Sequence, residues 1–172
     1  MATHGPHAER PAMHGYGVDE LGWEPLPWSW AAERLVGNRN FWVVTATAAA
    51  RPHALPVWGV WDDDEHRFAF SCAPNARKAR NLRANPAAVV MNDDTVECVS
   101  IEGRAHLVED THRQETWIVR YVAKYLPVQP DLSTEFLREN LIFEFEPERA
   151  FAVIEREDEF ATRATKWVFA SG

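Results

Sequence analysis

Residues 52–84, PHALPVWGVWDDDEHRFAFSCAPNARKARNLRA, decide the fold. The first part, Pro52–Trp61, is a strand with apolar residues on both faces: Leu55, Val57, Gly59 and Trp61 on one, Ala54, Pro56, Trp58 and Val60 on the other. A strand of that kind must be covered on both sides. Asp62-Asp63-Asp64 is a polar turn, and Arg67–Cys72 (RFAFSC) returns as the second arm of a hairpin. At Pro74 the period changes to that of a short helix, PNARKARNLRA, stopped by Asn85-Pro86.

The same alternation continues on both sides of this stretch. Upstream, 28–36 (WSWAAERLV) reads as a helix, with Pro27 near its start and Gly37 after its end, and 41–47 (FWVVTAT) as a strand. Downstream, 87–92 (AAVVMN) and the long segment 96–108 are strands. Gly103 in mid-strand marks a bulge or a bend. Thr111-x-x-Gln114 has the capping-box pattern and opens a helix to Leu126, with Trp117, Ile118, Tyr121, Val122, Tyr125 and Leu126 on one stripe. A short helix over 131–140, strands over 141–146 and 150–155, and a last strand over 165–170 complete the order. Short connections make the strands antiparallel, and no βαβ series appears. The expectation is a mainly β (β+α) protein: a six- to seven-stranded antiparallel split β-barrel of Greek-key type with short peripheral helices. Residues 1–22, rich in Gly and Pro and without an apolar period, read as a flexible tail, and 23–172 as one domain.

Composition narrows the function. A net charge of −8 argues against general nucleic-acid binding. No run approaches the ~20 apolar residues of a membrane helix, and no signal-peptide core is visible, so a cytoplasmic protein without a membrane partner is expected. The two cysteines, Cys72 and Cys98, lie in no metal spacing and read as reduced core thiols; no metal site is expected. The chain has no nucleophile elbow, no HExxH and no glycine-rich dinucleotide fingerprint. It does have eight Trp in 172 residues. Poverty in reactive groups beside many planar side chains suggests that a cofactor supplies the chemistry.

The basic helix offers the place for one. Arg77 and Lys78 fall in its first turn, where the helix dipole disfavours cations unless an anion relieves them. Ser71 adds a hydroxyl before the turn, and Asn81 lies one turn beyond Arg77 on the same side. Taken alone, these cations would read as a solvated face. Pro56, lacking an N–H, marks an irregular or exposed point in its ladder, and Trp58 and Trp61 are candidates to flank a planar ring. His53 and His106 are the candidate axial ligands should the group be haem.

The pattern FWVVTAT…RPHALPVWGVW…RFAFSC…NARKARNL…AAVVMND…CVSIEGRAHLVED resembles the pyridoxamine-5′-phosphate-oxidase-related superfamily, over about residues 28–170. The resemblance implies the FMN-binding split-barrel fold, a homodimer, and two cofactor sites at the interface. The ending Thr165-Lys166-Trp167-x-Phe169 is similar to that of the deazaflavin-dependent branch, which uses coenzyme F420. By resemblance, Arg77 and Lys78 would hold the cofactor phosphate with Ser71 and Asn81 in support. Pro56, Val57 and Trp58 would line the ring through the backbone, and Trp167 would approach from the partner subunit. Authentic pyridoxamine-phosphate oxidases carry a basic pair on the first strand for FMN phosphate; here that stretch is Val43-Val44-Thr45-Ala46-Thr47. The missing cation favours F420, with FMN as the alternative. The expected function is hydride transfer to an unsaturated small-molecule acceptor, with a non-catalytic flavin, deazaflavin or haem carrier as the rival.

Overall fold

The computed structural model describes residues 5–18 and 22–170. Along the chain its elements are β1 (His7–Glu9), α1 (Trp28–Gly37), β2 (Asn40–Ala46), β3 (Pro52–Asp62), β4 (Arg67–Cys72), α2 (Arg77–Ala84) and β5 (Ala87–Asn92). There follow β6 (Glu97–Leu107), α3 (Thr111–Tyr125), α4 (Thr134–Arg138), β7 (Leu141–Ile154), α5 (Glu157–Arg163) and β8 (Thr165–Val168).

Six antiparallel strands close into a barrel in the order β7-β4-β3-β2-β5-β6, and β6 pairs back onto β7. This is the expected split barrel with short peripheral helices. Closure is possible because β7 is long and bends. Its first half pairs with β4 and its second with β8, while β6 runs along both. The register slips between Glu102 and Gly103, where β7 carries an extra residue. Gly103 is required there, because a Cβ would run into the Glu146 carbonyl and the Phe145 ring. Alternation sorts the side chains. Phe41, Val43, Phe68, Phe70, Phe143 and Phe145 fill the barrel. On the outside, Val60, Ala69 and Ile142 are covered by Trp117, Ile118, Tyr121 and Tyr125 of α3.

Strands β4 and β5 are neighbours in sequence but are separated in the sheet by β3 and β2. The connection between them must cross one end of the barrel, and α2 is that crossing. Its buried face, Ala79, Asn81 and Leu82, packs on the barrel, chiefly against β2. Among the described residues no helix is long and apolar enough to cross a membrane.

Several local expectations are corrected. The cap of α3 is Asp110, whose carboxylate accepts the Arg113 N–H at 2.7 Å. Gln114 turns to the Val108 carbonyl instead of closing a capping box on Thr111. The helix expected over 131–140 shrinks to α4, and the two segments 141–146 and 150–155 are one continuous strand, β7. Helix α5 was not expected, although Glu157, Asp158 and Glu159 in its first turn and Arg163 in its last match the helix dipole. Within the segment read as a flexible tail, His7–Glu9 forms β1 on the edge of β8, with Glu9 paired to Lys166. Residues 1–4 and 19–21 of that segment lie outside the described residues.

Candidate functional site

The site begins where two strands part. Strand β3 pairs with β2 from Pro52 to Trp58, but with β4 only from Gly59 to Asp62. Residues 52–58 therefore leave one edge of β3 unpaired inside an otherwise closed barrel. The Thr47 N–H bonds the Arg51 carbonyl at the hairpin end. Since alternate residues of an antiparallel strand turn to alternate neighbours, His53, Leu55 and Val57 bond β2. Ala54, Pro56 and Trp58 turn their backbone groups to the open edge, where Pro56 has no N–H to leave unmet.

Two tyrosines of α3 straddle β3 at the point of parting. The Tyr121 hydroxyl donates to the Trp58 carbonyl at 2.9 Å, the place the Ser71 N–H would take if the β3–β4 ladder ran one pair further. The Tyr125 hydroxyl lies 2.8 Å from the Gly59 N–H and 2.7 Å from the Arg39 carbonyl, on the β2 side. Burial raises both phenols, that of Tyr125 to about 12 with the neighbouring Arg39 pulling the other way, so both remain protonated donors. The Trp58 indole stacks flat on Tyr125, with centroids 4.6 Å apart and planes 4° from parallel.

At the other end of the cleft stands α2. Its N-cap residue, Ala76, offers no side-chain cap. Arg80 and Arg83 fold back onto the carbonyls of Asn75 and Pro74 in the preceding turn. Arg77 and Lys78 have no carboxylate partner among the described residues, so two cations and the uncapped N–H groups of a helix start are left together. Asn81 is anchored: its amide donates to the buried Thr45 hydroxyl at 2.9 Å, which fixes α2 to β2. Thr45 is the cross-strand partner of His53, whose Nδ1 is sealed from solvent without a hydrogen-bond partner. Burial first, then the charges of Arg77 and Lys78, hold the His53 pKa below the ordinary histidine value. Lys78 also faces the β4 bank, where burial pushes the Cys72 thiol up while Lys78 pulls it down.

The structure places Pro56, Val57 and Trp58 on the stretch of β3 that has no β4 partner, Ser71 on β4 just beyond the last β3–β4 pair, and Arg77 and Lys78 in the first turn of α2. Asn81 lies beneath it as a strut. The structure removes Trp167, which is 1% exposed, packs edge-on against Trp28 at 5.4 Å and belongs to the protomer's own core. In β8 it is Lys166 and Val168 that face outward, so Trp167 cannot reach a partner subunit. Trp61 is likewise buried, its indole N–H committed to Asp63. His106 stands exposed on β6, opposite Glu144. Sequence reasoning missed Tyr121 and Tyr125 as parts of this site, having placed them only on the apolar stripe of α3. It also left His53 without a place beside the basic helix. The register of His53 against Thr45, and of Thr45 against Asn81, was the missing signal.

A family model described as pyridoxamine 5′-phosphate oxidase matches residues 31–153. No curated protein matches the chain significantly in sequence. Among solved structures, a conserved hypothetical protein from Mycobacterium tuberculosis is similar at TM-score 0.63 and 16% identity, over 89% of this chain and 96% of that one. HutZ, a haem storage protein from Vibrio cholerae, gives 0.60 and 20%, over 71% and 91%. An F420 reductase gives 0.55 and 18%, over 69% and 94%. At these identities the likeness is one of fold.

Proposed function

Because the chain belongs to the pyridoxamine 5′-phosphate oxidase family, we propose that it is a homodimeric oxidoreductase holding coenzyme F420 along the open edge of β3 and passing hydride to an unsaturated small molecule. The observation that carries the reading is an unpaired strand edge on β3, with two cations that have no carboxylate partner among the described residues at the uncapped start of α2.

The residues present fit such a group. At ~3.3 Å per residue the open edge is about 20 Å long, room for a planar ring joined through a sugar-alcohol chain to a phosphate. Arg77 and Lys78, with the free N–H groups of α2, would hold the phosphate. The outward backbone of Ala54, Pro56 and Trp58 would meet the polar edge of the ring. When bound, a deazaflavin supplies a carbon that gives or takes hydride. The chain's contribution is to orient and to exclude water. Tyr121 keeps Trp58 in place by its hydrogen bond, the Trp58–Tyr125 stack makes a rigid wall, and Leu55 and Val57 present apolar surface toward the barrel mouth.

F420 is favoured over FMN by what faces the mouth from β2. That strand offers no cation, and its buried hydroxyl, Thr45, is already engaged by Asn81. The homodimer is supported by apolar surface that the protomer leaves bare beside the cleft. Trp42, 41% exposed, stands with Val44, Ala54 and Met91 on the outward face of the sheet.

The test is a fluorescence titration of the purified protein with F420 and, separately, FMN. Micromolar or tighter F420 binding with weak FMN binding supports the reading. The reverse preference makes it an FMN enzyme, and binding of neither refutes it.

A further inference from the structure

With Phe143 and Phe145 inside the barrel, β7 turns Ile142 and Glu144 outward. Ile142 lies under α3 with Val60 and Ala69, and Glu144, the cross-strand partner of Ala69, stands beside that apolar layer. Helix α3 engages the carboxylate twice. The Trp117 indole N–H donates to Oε2 at 2.5 Å, and Arg113 Nε donates to the same oxygen at 2.6 Å. Arg67 of β4 lies 3.9 Å from the other oxygen. Trp117 is 1% exposed, so its N–H has no bulk water to turn to and needs this acceptor. Around the bond, two arginines tie α3 to the β3–β4 hairpin. Arg113 grips Glu65 with both terminal nitrogens, at 3.2 and 2.6 Å, and Arg120 pairs with Asp62 at the end of β3. One turn beyond Trp117 is Tyr121, whose hydroxyl meets the Trp58 carbonyl on the open edge of β3 at 2.9 Å.

The barrel surface under α3 is formed by short apolar side chains, Val60, Ala69 and Ile142. Apolar contact is non-directional and lets a helix turn or slide on such a surface at little cost. The Tyr121–Trp58 hydrogen bond is less tolerant and is lost within a displacement of about 1 Å. Lys124 and Tyr125 fix the C-terminal end of α3 to the Gly59 carbonyl. A second fixed point is needed on the other side of Tyr121 to close off rotation about the first. The ion pairs to the hairpin tip, made by long and partly exposed side chains, hold loosely. The Trp117–Glu144 bond joins a buried ring to a strand and is directional. We infer that Glu144 is a positioning residue for the cofactor site: through the Trp117 indole N–H it fixes the rotation of α3 at which Tyr121 reaches Trp58. The inference rests on the cofactor reading above and deepens it, since it makes cofactor affinity depend on a carboxylate two strands away from the open edge.

The experiment reads Tyr121 and the cofactor separately, in the full chain. The chain has three tyrosines, and Tyr121→Phe assigns the Tyr121 ring Cζ signal by NMR, which follows the hydrogen bond of the hydroxyl. That signal should move in Glu144→Ala. It should stay in Glu144→Gln, whose amide oxygen still accepts the indole proton while Arg113 keeps Glu65. Glu144→Leu with Trp117→Phe strands no buried donor, so it replaces Glu144→Ala should that variant not fold, and it too should move the signal. Glu144→Ala and Tyr121→Phe should each weaken F420 or FMN binding about fivefold or more, and together no more than about twice as much as the worse of the two alone. Glu144→Gln should bind within about twofold of wild type. Arg138→Ala, which cuts the ion pair of α3 with α4, should leave binding unchanged. Unchanged affinity in Glu144→Ala, losses that add, a glutamine variant as weak as alanine, or an unmoved Tyr121 signal would each overturn the inference and leave the cofactor reading standing. If wild type binds neither cofactor while the Tyr121 signal follows Glu144, the cofactor reading fails and the positioning of α3 stands.

Discussion

Replacing Lys124 by methionine should make the protein more stable at neutral pH. The Lys124 amine donates to the Gly59 carbonyl at 3.0 Å and lies 4.9 Å from the centre of the Phe41 ring, with no carboxylate partner among the described residues. Burial pushes its pKa from 10.5 down to about 8. Taken whole, that difference of 2.5 units at ~1.4 kcal/mol each is about 3 kcal/mol of strain on the charged form. The amine keeps part of its hydration, which brings the expected gain to about 1–2 kcal/mol. Methionine keeps the unbranched stem, and the Tyr125 hydroxyl, 2.8 Å from the Gly59 carbonyl and 2.7 Å from that of Arg39, can turn its one proton to the carbonyl that Lys124 vacates. The folded-state pKa is depressed, so the unfolded chain binds more protons between about 8 and 10.5 and wild-type stability climbs across that window from this group. The advantage of Lys124→Met is therefore full near pH 7 and gone by about pH 10.5. Urea denaturation of both proteins at the two pH values, compared at a common m-value, measures it. A variant less stable than wild type at pH 7, or the same difference at both pH values, would refute the reasoning.

Arg77→Ala with Lys78→Ala should weaken phosphate-bearing cofactors by about a hundredfold and flatten the salt dependence of binding, while leaving riboflavin unchanged; equal losses for both ligands would deny the phosphate assignment. Tyr121→Phe should cost about 1–2 kcal/mol in denaturant titrations, since it strands the Trp58 carbonyl. It should also lower cofactor affinity, because the last β3–β4 pair is then free to close. Gly103→Ala should lose more than about 2 kcal/mol through the collision with the β7 backbone, seen as a fall in Tm. Light scattering should give a dimer for the wild type and a monomer for Trp42→Asp, with cofactor binding lost alongside; a monomeric wild type that binds cofactor would end the interface proposal.

What the sequence discloses and what it withholds divide along a physical line. Features carried by nearest neighbours are legible: the two-sided apolar run of β3, the bulge at Gly103, the cations in the first turn of α2, and the missing N–H of Pro56 at an open edge. Features carried by register between distant strands are not. Trp167 shares the aromatic, apolar character of an interface residue, and only the alternation of β8 in place shows that it points inward. The strand β1 escaped because its stability comes from the edge of β8 and not from any apolar period of its own. Asn81 is placed by its spacing on the side of α2 that carries Arg77 and Lys78, but its hydrogen bond to Thr45 spans 36 residues and is not legible.

The cleft itself is the clearest case of this division. Within 52–58 and 67–72 only Pro56, which cannot donate to a partner strand, hints that the hairpin stops pairing at Gly59 and Phe70. At that point stands Tyr121, 63 residues from Trp58 along the chain, whose hydroxyl donates to the carbonyl that Ser71 would reach if the ladder continued. The packing of α3 thus supplies the partner that the parted strand edge would lack at Trp58. The nine buried residues beneath and on that helix hold the site open as surely as Arg77 and Lys78 give it charge. Substitutions at Trp117 or Ile118, both remote from any ligand, should consequently lower cofactor affinity and stability together, whereas changes at Arg77 and Lys78 should separate the two.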